Sequence, residues 1–153
     1  VKLLITGYND VNESGISLKE YVDQVGKDSY GGEWTPLMIA AREEHFQIVK
    51  YLVEQGEADP NIANSGGVNA LHWAAMYNKK DTKVIEFLLT HMSLDSINKK
   101  SRSGCTPLDW TYDNDDSPIQ QKIIDLIRSK GGKANSYDAN GNDVGIGNGD
   151  LND

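Results

Sequence analysis

Few side chains in this sequence could carry out nucleophilic or proton-transfer chemistry at neutral pH. The imidazoles are His45, His72 and His91, and the single thiol is Cys105. No serine stands in a nucleophile elbow, no glycine-rich loop is followed by Lys-Ser or Lys-Thr, and no histidine pair has metal-ligand spacing. We therefore predict a protein that is not an enzyme, with no catalytic residue, no metal site and no cofactor. A deep polar pocket that held Cys105 beside a histidine would favour the enzymatic alternative.

Cys105 directly precedes a predicted helix cap at Thr106, where a helix dipole could lower the pKa of its thiol. We prefer to interpret it as a partly exposed, unreactive cysteine. A single cysteine cannot form an internal disulfide, which fits a reducing compartment. Because the sequence begins at Val1 without an initiator Met, a basic leader or an apolar signal segment, we expect it to be processed or to be part of a longer protein. We expect a cytoplasmic or nuclear location.

The last 18 residues, 136–153, carry oxygen-bearing side chains at alternate positions. Asp138, Asn140 and Asn142 have the spacing of a calcium loop, but Asp143 follows where an EF-hand needs glycine. The single nonapeptide GIGNGDLND cannot build a calcium-binding β-roll, which needs stacked turns. Because 12 of the 18 residues are Gly, Asn or Asp, we predict a flexible tail. A calcium-responsive protein that binds the ion through this tail is the alternative function.

Length and charge indicate one domain and argue against nucleic acid as a partner. The chain has 153 residues, of which 38% are apolar, and no apolar run approaches the length of a membrane span. The net charge is −8, and the tail holds four of the acidic residues and no Lys or Arg, which leaves −4 for residues 1–135. Phosphate backbones are bound mainly by Lys and Arg. We therefore expect no binding to nucleic acid or membrane. We also expect the chain to be a monomer.

A repeat of about 37 residues organises the elements that hold these side chains. Three helix starts lie 34 and 37 residues apart, at Thr35, Asn69 and Thr106. A second marker, an asparagine, recurs every 37 residues, at Asn61, Asn98 and Asn135. Because two independent markers keep the same phase, the pattern indicates a true structural repeat.

Each unit predicts a turn, a helix, a second turn and a second helix. Thr35-Pro36 and Thr106-Pro107 combine an N-cap with a proline in the first helical turn. The second helix of each unit carries apolar pairs one turn apart, as in Ile48-Val49 and Leu52-Val53. The glycines that we expect at helix ends or in tight hairpin turns are Gly56, Gly67, Gly104 and Gly131.

This pattern resembles the ankyrin repeat, whose units begin G-x-T-P-L-H-x-A-A and end L-L…G-A-D-x-N. The likeness covers about residues 28–135 and is weakest in the third unit, where Thr111-Tyr112 replaces the alanine pair. It implies an all-α repeat fold, an ankyrin solenoid of three to four helix-turn-helix units joined by hairpin fingers. It also implies that His72, at the T-P-L-H position, makes a hydrogen bond that ties neighbouring repeats.

The alignment divides the chain into an ankyrin-repeat domain at 1–135 and a tail at 136–153. Ser17 and Glu20 have the spacing of a capping box that opens an extra helix. Within the domain we assign 1–12 to the end of a partial repeat, 13–27 to a helical insertion, 28–63 and 64–100 to repeats, and 101–135 to a capping repeat.

Stacked units form a curved solenoid whose concave side is an extended binding surface. The resemblance places recognition positions in each finger before the cap and just after the first-helix alanines. The resemblance therefore implies a protein–protein interaction module that binds a partner protein on this concave side. The residues that we predict to contact the partner are Trp34, Arg42, Glu43, Val68, Met76, Tyr77, Arg102 and Asp113. Trp34 either contacts the partner or folds onto the extra helix at 17–25. Trp73 and Trp110 are interpreted as packing the stack.

Overall fold

The structure is a computed structural model that describes residues 18–29, 31–111 and 117–135. The elements are α1 (Leu18–Val22), β1 (Gly26–Lys27), β2 (Glu33–Trp34), α2 (Pro36–Arg42), α3 (Phe46–Glu54), α4 (Ala70–Tyr77), α5 (Lys83–His91), α6 (Leu94–Ile97), a 3-10 helix (Asp109–Thr111) and α7 (Pro118–Ser129). A mostly helical chain with a single two-stranded sheet in its described part fits the predicted repeat fold. None of the helices in these ranges combines the length and apolar character that a bilayer span requires.

The first helices begin at the caps that the sequence predicts. Thr35 Oγ1 accepts the N–H of Met38 at 3.2 Å, and proline follows the cap. Asn69 achieves the same result without the Thr-Pro pair. Its side-chain oxygen accepts the N–H of His72, and His72 Nδ1 accepts the N–H of Asn69 in return.

The third unit departs from the other two. The prediction of a helix starting at Thr106 is wrong in type, because the described segment there forms only the short 3-10 helix. Thr106 still caps it, since its Oγ1 accepts the N–H of Asp109 at 3.3 Å and Asp109 Oδ2 accepts the N–H of Thr106 at 2.6 Å. Thr111 occupies the position of an alanine, and its hydroxyl donates to the Leu108 carbonyl at 2.7 Å. Such local bonds and a branched β-carbon disfavour continued α-helix.

Three of the four predicted turn glycines have positive φ, namely Gly67, Gly104 and Gly131. The prediction for Gly56 is wrong, because Glu57 takes the left-handed conformation instead, at φ 57°. The N–H of Ala58 reaches back to the Leu52 carbonyl at 2.9 Å and closes the end of α3. This six-residue closure puts Glu57, one residue later than expected, at the position that must be left-handed.

The helices lie in two rows with the core between them. α2, α4 and the 3-10 helix form the inner row, and α3, α5 and α7 form the outer row. Val22 of α1 joins the core from the N-terminal side. The large apolar side chains at its centre are fully buried: Met38, Leu52, Leu71, Ile85, Leu88, Leu108, Ile123 and Ile127.

Side-chain amides connect each unit to the next. Asn61 Oδ1 accepts the N–H of Ser93 at 2.8 Å, and Asn98 Oδ1 accepts the N–H of Lys133 at 2.7 Å. These bonds explain why an asparagine recurs with the period of the repeat, since each one holds the backbone of the following unit.

A second pair of amides reaches in the opposite direction. Asn78 Nδ2 donates to the Ala41 carbonyl at 2.8 Å, and Gln120 Nε2 donates to the Ala75 carbonyl at 3.4 Å. Ala41 and Ala75 are equivalent residues of consecutive units. Each of these carbonyls therefore accepts a hydrogen bond from the unit that follows.

Candidate partner-binding surface

The first finger, which is the hairpin formed by β1 and β2, holds Trp34 in a fixed position. β1 and β2 pair in antiparallel register, with Gly26 opposite Trp34. The carboxylate of Asp28 accepts the N–H of Gly32 at 2.8 Å and the indole N–H of Trp34 at 2.9 Å. The Trp34 ring then stacks on Trp73 of the next unit, with 4.4 Å between ring centroids. Trp34 therefore contacts the inner helix α4 of the following unit.

Trp73 stands at the centre of a larger group of rings. Its centroid lies 6.0 Å from that of Tyr77 and 5.3 Å from that of Trp110. Arg42 completes the group, because its Cζ lies 5.7 Å from the Trp34 centroid and 4.9 Å from the Tyr77 centroid. Trp34, Arg42, Trp73, Tyr77 and Trp110 are called the aromatic cluster below, and the surface of the inner row and fingers that carries it is called the inner face.

The cluster combines packing with exposure. Trp73 packs against the core, as predicted, yet Trp73 and Trp110 are half-buried rather than buried. Tyr77 is 38% exposed. Rings held by their neighbours in this way can receive a ligand with little loss of side-chain entropy.

The other predicted contact residues differ in their surroundings. Glu43 is exposed and its carboxylate lies 3.2 Å from Arg42 Nη1. Met76 is half-buried and Arg102 is exposed on a finger. Val68 does not fit the expectation of an exposed finger residue, because it is only 9% exposed. Asp113, like the predicted capping residue Ser17, lies outside the described residues.

Ile39 is an inner-face residue that the sequence analysis missed. It is 50% exposed on α2, the helix that carries Arg42. Ile39, Trp73 and Trp110 each stand four residues after a predicted cap. That shared position could have predicted that Ile39 lies on the inner face. It was overlooked because the two tryptophans were interpreted as packing residues.

His72 confirms the structural role that the resemblance implied. The ring is fully buried, and Nε2–H donates to the Cys105 carbonyl of the next finger at 3.3 Å, while Nδ1 serves the Asn69 cap. Burial lowers the pKa of His72 from 6.5 to about 4, so the ring is neutral at pH 7. Cys105 is half-exposed, as predicted.

An open polar cavity of ≈ 350 Å³ lies between two neighbouring fingers, lined by Ala63, Asn64, Ser65, Gly66, Gly67, Lys99, Lys100, Ser101 and Arg102. It adjoins the first finger, because the N–H of Ser65 binds the Glu33 carboxylate at 2.9 Å. Hydrogen bonds from Ser65 lower the pKa of Glu33. The described part of the chain contains no cluster of three or more His, Cys, Asp or Glu residues able to hold a metal ion. The calcium-like spacing at 136–153 falls outside the described residues.

Comparison with known proteins agrees with this architecture. A family model described as ankyrin repeats (3 copies) matches residues 1–100. The chain is 27% identical over 130 residues to the NAD-dependent deacetylase sir2B of Dictyostelium discoideum, a match that covers 80% of this chain and 16% of that protein. It is 28% identical over 132 residues to Alpha-latroinsectotoxin-Lt1a of Latrodectus tredecimguttatus, covering 84% of this chain and 9% of the toxin.

The chain therefore spans less than a fifth of the length of either relative. Ankyrin repeats are generally protein–protein interaction modules, and ankyrin-repeat domains are typically non-enzymatic. The family model covers well over half of the 153 residues, and the two rows of capped helices have the arrangement that this family predicts. The chain belongs to the ankyrin-repeat family.

Proposed function

We propose that this chain binds a partner protein on its inner face, with the aromatic cluster at the centre of the contact. The observation that carries the proposal is the gathering of four large rings and an arginine on one surface, contributed by three successive units. Trp, Tyr and Arg side chains dominate the binding energy of measured interfaces.

The side chains around the cluster suit the outer part of such an interface. Ile39 and Tyr77 offer exposed apolar area, with 50% and 38% exposure. Met76 is unbranched and can adapt its conformation to a partner. Glu43 and Arg102 are exposed charges, which contribute more to association rate and specificity than to affinity.

A capture experiment with matched variants tests this function. The parent chain, a variant with Trp34→Ala and Tyr77→Ala, and a control with Leu94→Ala are immobilised after circular dichroism has shown equal helicity. Leu94 is 57% exposed on α6, away from the aromatic cluster, and provides the control for loss of exposed apolar area. Proteins retained from a lysate are then quantified by mass spectrometry.

We expect a specific partner to be retained by the parent and by Leu94→Ala and lost with the double variant. Equal retention by the double variant would contradict binding on the inner face. Isothermal titration with the purified partner then measures the loss, expected to exceed about tenfold for each removed ring.

A further inference from the structure

Two hydrogen-bond donors in the aromatic cluster lack acceptors. Among the described residues, Arg42 Nε and Trp73 Nε1 are buried nitrogen atoms with no partner. A buried donor without an acceptor is energetically unfavourable. Most buried polar groups in folded proteins are satisfied, so two orphan donors mark the aromatic cluster as a surface that the chain itself does not fully pair.

Arg42 is already held in a position to bind such a ligand. Its guanidinium lies over both Trp34 and Tyr77, which restrains a side chain that is otherwise flexible. The side chain is still 40% exposed. A guanidinium has five N–H donors in a planar fork that matches a carboxylate bidentately.

The contact with Glu43 shows that the Arg42 guanidinium binds a carboxylate. Its carboxylate lies 3.2 Å from Arg42 Nη1, and its side chain is 49% exposed. An ion pair of this exposure contributes little to stability and is easily exchanged. An incoming carboxylate can therefore replace Glu43 on Arg42.

The neighbouring fingers extend this preference for negative charge. Lys99, Lys100 and Arg102 line the open cavity beside the first finger. Glu33, the acidic residue next to Trp34, already receives the N–H of Ser65 and lies 3.8 Å from Lys27. The fingers thus offer excess positive charge beside the cluster, although residues 1–135 as a whole are acidic.

We propose that the partner segment bound on the inner face is acidic, with a glutamate or aspartate carboxylate on Arg42 in place of Glu43. A further acidic residue of the same segment reaches Lys99, Lys100 and Arg102 on the neighbouring finger. This inference rests on the proposed function, since it names the chemistry of the segment that the inner face binds.

The test uses the ¹⁵N-labelled chain and three short peptides that differ only in charge. Acetyl-Gly-Glu-Glu-Glu-Gly-amide is compared with its Gln and Lys counterparts at low ionic strength. The Nε–H resonance of Arg42 and the indole N–H resonance of Trp73 are followed during each titration. We expect the Glu peptide to shift both resonances and the Gln and Lys peptides to leave them in place.

Three variants make the result specific. Arg42→Gln should weaken binding of the Glu peptide by at least about tenfold, because the charged fork is removed. Glu43→Gln should strengthen it by about threefold, since the competing carboxylate is gone. Arg128→Gln, the same substitution on the outer helix α7, should leave the affinity unchanged.

Several outcomes would overturn the proposal. These are equal shifts with the Gln peptide, shifts with the Lys peptide alone, or an equal loss of binding in Arg42→Gln and Arg128→Gln. If a captured partner depends on Trp34 and Tyr77 but binds Arg42→Gln as tightly as the parent, the proposed function stands and only the acidic segment is wrong.

Discussion

His72 is a buried titratable group placed where two units meet. Because its pKa is lowered from 6.5 to about 4, the unfolded chain binds a proton between these pH values that the folded chain does not. The contribution of His72 to the stability of the folded chain is fully present above pH 6.5. It decreases as the pH falls towards 4. A shift of this size corresponds to a loss of about 3 kcal/mol over the interval.

The prediction is that urea unfolding of the parent chain shows stability falling between pH 6.5 and 5, a range above the titration of most carboxylates. The variant His72→Gln should be less stable at pH 7 but nearly independent of pH over the same range. His91→Gln, at an exposed histidine, should keep the slope of the parent. An unchanged slope in His72→Gln would contradict this role.

At the scale of the element, two glutamates adopt left-handed backbone conformations. Glu57 has φ 57° after α3, and Glu44 has φ 55° between α2 and α3. A non-glycine residue in this region costs about 1 kcal/mol. The two differ in their side chains, because Glu44 Oε1 accepts the N–H groups of Lys79 and Lys80 in the next unit at 2.8 and 2.9 Å.

We therefore predict different effects from the same substitution at the two positions. Glu57→Gly should raise the free energy of unfolding by about 0.5–1 kcal/mol, since it relieves strain. Glu44→Gly should give no increase, because the relief is offset by two lost hydrogen bonds to the neighbouring unit. Chemical denaturation of both variants measures the difference, and a gain of equal size in both would show that the Glu44 bonds contribute nothing.

Local signals in the sequence account for the elements that were predicted correctly. Caps such as Thr35 and the apolar spacing of the second helices act within one unit, so the sequence of that unit is sufficient. Glu57 was missed because the closing bond of α3 sets which residue is left-handed, and Gly56 was the obvious candidate one residue too early. Val68 was missed because it occupies the same finger position as Trp34. The sequence does not show that the smaller Val68 side chain is enclosed by its neighbours whereas the larger Trp34 ring is not.

The whole molecule depends on contacts between units rather than within them. In a stack, stability is approximately a sum of unit stabilities and nearest-neighbour terms. The side-chain amides of Asn78 and Gln120 contribute to these nearest-neighbour terms. They donate hydrogen bonds to the Ala41 and Ala75 carbonyls of the preceding unit. The sequence hides this equivalence, because Asn78 follows an inner helix whereas Gln120 lies on the outer helix α7.

We predict that Asn78→Ala lowers the free energy of unfolding by about 0.5–1.5 kcal/mol, because the Ala41 carbonyl loses its donor from the next unit and keeps the N–H of Glu44 at 3.3 Å. Hydrogen exchange should speed up in α2 and α4, on the two sides of this junction. Lys79→Ala, at the exposed neighbouring position, should change stability by less than about 0.5 kcal/mol. Equal effects of the two substitutions would rule out the amide as a coupling element.

The aromatic cluster also gives the protein a built-in optical reporter. The chain has three tryptophans, and Trp34, Trp73 and Trp110 all belong to the cluster, with ring centroids 4.4 and 5.3 Å from that of Trp73. Fluorescence excited at the red edge of the indole band therefore arises from the inner face alone. Binding to that face can therefore be followed by tryptophan fluorescence of the unmodified chain, without an added dye. The helices that carry no tryptophan do not contribute to this signal.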